Sequence, residues 1–171
     1  MANSHVLIQS QTLGTSALTV TFSSISGAYR DLYLVANGIS TSSATATDAY
    51  FRVNGDSTNS YTRVTMIGSS SSPTSTSSGA ISEIYMEGWS TSNPLQLQVS
   101  MLDYAQTDKH KTFLIRGGNA ESGSVTYTAA ARWASTSAIT SITLYCTDQK
   151  GGGSADSWAA GSTFYLYGVS A

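Results

Sequence analysis

Charge is scarce in this chain. Of its 171 residues, 11% are Asp, Glu, Lys or Arg, less than half the ~25% usual in soluble domains. Eight basic and ten acidic side chains leave a net charge of −2. Binding nucleic acid takes clustered Lys and Arg to neutralise phosphates, and here the basic residues are scattered. The one local basic run, Lys109-His110-Lys111 after Asp108, reads as a solvated turn. Cysteine occurs once, at Cys146. That excludes an intrachain disulfide, so the fold does not depend on an oxidising compartment. Cys146 sits in an apolar strand pattern without a neighbouring base and reads as a buried structural thiol. No apolar run approaches the ~18 residues needed to span a bilayer, so no membrane partner is expected. The segment Met1-Ala2-Asn3-Ser4-His5 lacks a basic region followed by an apolar run, and no secretory signal is expected.

Serine and threonine dominate, and they stand inside strand patterns as well as between them. Ser16-Ala17-Leu18-Thr19-Val20-Thr21-Phe22 and Ser124-Val125-Thr126-Tyr127-Thr128 alternate apolar residues with small hydroxyls. This is the period of a strand with one buried face. Abundant aromatic and β-branched residues argue for a folded chain despite the low charge. The alternation predicts strands over 5–10, 16–25, 30–39, 48–54, 61–68, 80–87, 94–104, 111–118, 124–133, 138–147 and 162–169, with no helical period. About ten short strands without crossover helices predict a single all-β domain over residues 1–171, an antiparallel β-sandwich of jelly-roll type. Asn54-Gly55-Asp56 is a hairpin signal. The Ser/Thr-rich stretch 69–79 and the stretch 40–47 read as exposed loops.

Groups for catalysis are hard to find. Histidine occurs twice, at His5 and His110, neither beside a nucleophile. There is no nucleophile elbow, no phosphate-cradling loop and no zinc spacing. Glu83 and Glu87 share a strand face roughly 13 Å apart, beyond the ~5–9.5 Å of a glycosidase pair, and read as solvent-facing. Asn54, Asp56 and Asn59 form an oxygen-rich turn, but calcium takes 6–8 oxygens, and an ordinary turn is the simpler reading. No catalytic residue, metal or cofactor is expected. The candidate contact residues are Trp89, at a strand end, and Trp158, in a polar loop, as interface anchors or sugar platforms; the simpler reading of both is packing back over the core or the sandwich edge. Trp133 lies in a strand pattern and reads as core. Tyr33, Tyr165 and Tyr167 are expected to line one sheet face, where Tyr buries area at low entropic cost.

Taken in order, Tyr29-Arg30-Asp31-Leu32-Tyr33-Leu34, Phe51-Arg52-Val53-Asn54-Gly55-Asp56, the segment from Ser135 to Leu144 and the ending Ala160-Gly161-Ser162-Thr163-Phe164-Tyr165-Leu166-Tyr167-Gly168-Val169 resemble Ser/Thr-rich β-sandwich virion proteins of tailed bacteriophages. The resemblance implies a non-enzymatic particle protein located in the virion. It further implies a capsid decoration (cement) protein, a homotrimer whose partner is the major capsid protein. The alternative is a tail-fibre or receptor-binding, lectin-like domain that reads a glycan.

Overall fold

Alternation becomes strand almost wherever it occurs. The computed structural model describes residues 4–41, 47–68, 73–89, 95–118, 126–148 and 157–170. Its strands are β1 (His5–Thr12), β2 (Thr19–Phe22), β3 (Asp31–Gly38), β4 (Thr47–Val53), β5 (Tyr61–Gly68), β6 (Thr74–Ile81), β7 (Ile84–Trp89), β8 (Leu95–Leu102), β9 (Lys111–Gly118), β10 (Thr126–Trp133), β11 (Ile142–Asp148) and β12 (Thr163–Val169). No helix forms among the described residues. All pairings between strands are antiparallel.

The strands divide into an eight-stranded sheet, ordered β1-β12-β3-β8-β9-β10-β5-β6, and a four-stranded sheet, ordered β2-β11-β4-β7. The chain shuttles between the two. If the pairs β5–β6 and β9–β10 are set aside, β1-β12-β3-β8 faces β2-β11-β4-β7. This is the strand order of a jelly roll, built from two nested Greek keys. The two extra pairs join one another through β10 and β5 and extend the larger sheet past β8. The all-β sandwich expected from the sequence is therefore the observed fold, with a four-strand extension on one sheet.

The inward residues make a continuous core. In β3 the buried side chains are Leu32, Leu34 and Ala36; in β8 they are Leu95, Leu97, Val99 and Met101. Phe51 of the small sheet meets Phe113 of the large sheet edge to face, with ring centres 5.2 Å apart. Both are fully buried, and burial of each stabilises the fold by about 1.5–3 kcal/mol. Trp133 is also in the core at 3% exposure, as its strand pattern predicts.

Three expectations are corrected. The Ser/Thr stretch within 69–79 is not all loop, because Thr74–Ile81 forms β6, an edge strand paired to β5. Its sequence has no apolar alternation to announce it; hydroxyl residues of fair β propensity suffice once β5 supplies hydrogen bonds. The segments expected as strands over 16–25 and 138–147 shorten to Thr19–Phe22 and Ile142–Asp148. Finally, Asn54-Gly55 makes its turn but not a hairpin. Both residues have positive φ, 54° and 67°, and Asp56 N donates to Val53 O at 3.0 Å. The strands on either side lie in different sheets, so the turn carries the chain across the sandwich. Asn54 is held there by side-chain bonds to 138, 140 and 141: Nδ2 donates to Ala138 O at 2.8 Å, and Oδ1 accepts from Thr140 N at 2.8 Å and Ser141 N at 3.1 Å. Those bonds fix the segment 138–141 outside any strand.

Candidate binding surfaces

The outward face of the eight-stranded sheet presents one row of cross-strand partners from edge to edge. In order these are Ser77, Val64, Ala130, Leu114, Ser100, Tyr33, Tyr167 and Leu7. The neighbouring row contains Met66, Arg116, Val35 and Tyr165. Large and small side chains alternate across the middle of the first row. Ala130, between Val64 and Leu114, floors a depression of about 630 Å³. Ser100, between Leu114 and Tyr33, floors a smaller one of about 130 Å³. Exposed apolar side chains gather on this face: Leu7 51%, Val64 56%, Met66 63%, Leu102 45% and Leu114 51%. Arg116 and Arg132 are the cations that β9 and β10 place on it. Tyr33, Tyr165 and Tyr167 stand half-buried on the same face, where the sequence pattern puts them.

The outward face of the four-stranded sheet is built differently. Tyr145, Tyr50 and Tyr85 are partners across β11, β4 and β7. Tyr145 and Tyr50 stack with centres 5.5 Å apart and planes at 17°, and Tyr50 meets Tyr85 at 5.4 Å and 48°. A guanidinium caps each end. Arg52 lies 4.9 Å from the Tyr145 ring centre, and Arg63, from β5, lies 4.7 Å from that of Tyr85. Cation–π contacts of this kind contribute ~0.5–2 kcal/mol. Glu83 Oε2 accepts from Arg52 Nη2, from the Tyr145 hydroxyl and, at 3.3 Å, from the Ser82 hydroxyl. Burial pushes the Tyr145 phenol far above its ordinary value, and the bond to Glu83 adds to the shift.

The extension strands overhang this face. Arg63 belongs to the inward side of β5 and also donates Nη1 to Tyr85 O at 3.0 Å. Between the overhang and β7 lies an open groove of about 360 Å³, lined by Tyr50, Asn59, Arg63, Ser82, Glu83 and Tyr85 among others. Comparison of the chain with known protein families, curated proteins and solved structures finds no match.

The residues singled out from the sequence fare unequally. Trp158 is not an exposed loop platform. It is fully buried, bridges backbone to Ala17 and Ser40, and sits edge-on to Phe164 at 5.1 Å. A Cβ at Gly38 would overlap its ring, so a glycine in β3 makes the space that Trp158 fills. The loop sequence around Trp158 is polar, but long-range pairing folds the indole under the sheet. Trp89 closes β7 through its backbone, opposite Thr47; its side chain lies outside the described residues.

The oxygen-rich turn is a self-contained structure. Asp56 Oδ1 accepts from Thr58 N at 2.9 Å and Thr58 Oγ1 at 2.6 Å. Oδ2 accepts from Ser60 at 2.7 Å and from Trp133 Nε1 at 2.6 Å. Burial alone pushes the Asp56 carboxyl up, but these four donors outweigh it and hold the group well below the usual carboxylate range. Asn54 and Asp56 thus spend their oxygens on the fold. Among the described residues no cluster of His, Cys, Asp or Glu is arranged to hold a metal. Glu83 is not a solvent-facing strand residue; it precedes β7 and ties Arg52 to Tyr145. The side chain of Glu87 lies outside the described residues. Lys109-His110-Lys111 is not uniformly solvated. Lys109 pairs with Asp103 at 2.8 Å, and Lys111 is buried, its Nζ donating to Lys109 O at 2.9 Å and Thr136 O at 3.1 Å. Burial lowers the Lys111 pKa from its ordinary value. Cys146 is buried.

The sequence reading missed Tyr50, Tyr85, Tyr145, Arg52 and Arg63 as a group. Tyr50 and Arg52 alternate on one side of β4, which the pattern shows. That Tyr145 and Tyr85 flank them depends on a sheet order not written in any local window.

Proposed function

We propose that this chain is a non-enzymatic structural protein of a tailed-phage particle, a decoration protein that docks on the outer surface of the head. The observation that carries this reading is the outward face of the eight-stranded sheet, with its exposed Leu7, Val64, Met66, Leu102 and Leu114. Eight strands at ~4.8 Å spacing and eight residues at ~3.3 Å give a footprint on the order of 1,000 Å². A stable interface takes about 800 Å² from each partner. A face of that size with few charges binds by area and shape. The resemblance to phage virion proteins names the partner, the major capsid protein, and the homotrimeric state. Low net charge fits both, because little repulsion opposes close packing of copies.

Cryo-electron microscopy of particles carrying the chain tests the reading. Density for it at threefold or quasi-threefold positions on the head, with the eight-stranded sheet against the capsid or a neighbouring copy, is the expected result. Density confined to the tail overturns the decoration role and leaves the receptor-binding alternative.

A further inference from the structure

We infer that the outward face of the eight-stranded sheet takes an acidic–apolar segment: an extended stretch of a partner in which an aliphatic side chain stands between two carboxylates. The chain as a whole has a net charge of −2, yet the unpaired charges on this face are positive. Arg132 borders the hollow of about 630 Å³ over Ala130, and Arg116 borders the hollow of about 130 Å³ over Ser100. Both arginines are exposed, and neither belongs to an ion pair among the described residues. The acid that the described strands turn to this side is Asp31, at the start of β3. Its Oδ1 accepts from Asp103 N at 2.7 Å, and Arg30 lies 3.8 Å from Oδ2. Among the described residues, no carboxylate of the face answers Arg116 or Arg132.

The spacing defines the segment. Val64, Ala130 and Leu114 share one row of cross-strand partners. Arg132, beside Thr112 and Thr62, lies one row to one side; Arg116, beside Thr128, lies one row to the other. Rows are two residues apart, roughly 6.6 Å along the strands. An extended chain laid along β10 repeats its facing side chains at the same roughly 6.6 Å. An aliphatic side chain over Ala130 then enters the hollow between Val64 and Leu114. Acidic residues two positions before and after it reach Arg132 and Arg116, whose forked donors match carboxylate oxygens. Charge also disfavours other occupants. The same face of a second copy sets cation against cation. Two guanidiniums on the order of 14 Å apart, with apolar side chains between them, are too sparse to follow a phosphate backbone. The inference deepens the docking reading and rests on it for the choice of this face as one that meets a partner.

The probe is a blocked heptapeptide, Thr-Asp-Thr-Leu-Thr-Asp-Thr, titrated against the full chain at low salt and followed by amide NMR, beside counterparts with Lys or Ser in place of both Asp. Millimolar binding of the Asp peptide is expected, with shifts concentrated at Val64, Leu114 and Ala130. Arg132→Gln and Arg116→Gln should each weaken it about three- to fivefold, the scale of one exposed ion pair. Arg30→Gln removes the same charge away from both hollows and should bind as the wild type does. Neither Arg116 nor Arg132 is tied to another described residue, so both variants should keep the wild-type melting temperature. Added salt should weaken the Asp peptide and spare the Ser peptide. The inference is overturned if the Asp peptide does not bind at about 10 mM, if the Lys or Ser peptide binds as tightly, or if both Arg→Gln variants bind with undiminished affinity. Peptide binding by a chain that fails to co-sediment with stripped capsids overturns the decoration role and leaves this inference standing. Capsid binding without preference for the Asp peptide does the reverse.

Discussion

The two sheets turn very different faces outward, although their strands are spelled with the same few residue types. On the small sheet, Tyr145, Tyr50 and Tyr85 stack on one another, capped by Arg52 and Arg63 and tied by Glu83. Each group there is held by its neighbours. On the large sheet, Val64, Met66, Leu102 and Leu114 stand about half exposed among Ser, Thr and Ala, and hold little but their own strands. The contrast separates two uses of an exposed sheet. A cross-linked face fixes the geometry of its own side chains. A face of isolated apolar knobs and small-residue hollows stabilises nothing until a second surface covers it.

What both faces share is the core beneath them, and the largest effect comes from removing its largest ring. Trp158→Ala leaves a cavity against Phe164 and Gly38, with an expected loss of about 3–5 kcal/mol. Urea denaturation followed by far-UV circular dichroism measures it. A loss below about 1 kcal/mol would mean that the indole is not the packing element described here.

Next in size is the corner where the chain crosses between sheets. Asp56→Ala removes the acceptor of the Trp133 indole N–H, and a buried donor left without a partner costs about 1–3 kcal/mol. The same carboxylate makes a pH prediction. Its folded pKa lies below the unfolded value, so its stabilisation is fully present above the unfolded value of ~3.9 and is lost as pH falls from there toward the folded pKa. The wild type should therefore lose stability below about pH 4 more steeply than Asp56→Ala. Equal slopes in urea titrations across that range would show that the four hydrogen bonds do not favour the ionised form.

How much of this was legible in the sequence follows from the range of each interaction. β3, β9 and β10 could be read because one buried side per strand writes a period of two into adjacent residues. β6 was not, because an edge strand of Ser and Thr buries too little to show a pattern. The burial of Trp158 depends on Gly38, 120 positions earlier, and the tyrosine stack joins β4, β7 and β11. Such pairings are set by topology, and local alternation carries no information about which strand lies alongside. The Asn54-Gly55 turn shows the boundary well. Its backbone conformation was written in two residues, whereas its role as a crossing between sheets was not.

The cross-linked face should respond modestly and locally. Tyr145→Phe removes one of the donors to Glu83 while keeping the ring stack, an expected cost of about 0.5–1.5 kcal/mol. Arg52 still holds Glu83, so the groove should keep its shape. Nuclear magnetic resonance shifts confined to β4, β7 and β11 are the expected signature. Changes spreading into β9 or β10 would break the claim that this face is a local unit.

The smallest effect on stability sharpens the comparison most. Leu114 is 51% exposed in the middle of the large-sheet row, between Ala130 and Ser100. Leu114→Ser should change the unfolding free energy by no more than about 0.5 kcal/mol, as expected for a surface position. Leu114→Arg should be nearly as neutral in the isolated chain, yet a charge placed at the centre of a buried apolar contact carries a heavy desolvation cost. On the proposed docking face it should therefore abolish co-sedimentation with capsids stripped of this protein, while Arg52→Lys on the small sheet leaves co-sedimentation unchanged. If Leu114→Arg binds capsids like the wild type, the large-sheet face is not the docking surface, and the difference between the two faces has another cause. If it unfolds the chain, Leu114 supports the fold, and the division between a face that holds structure and a face that waits for a partner fails at its central residue.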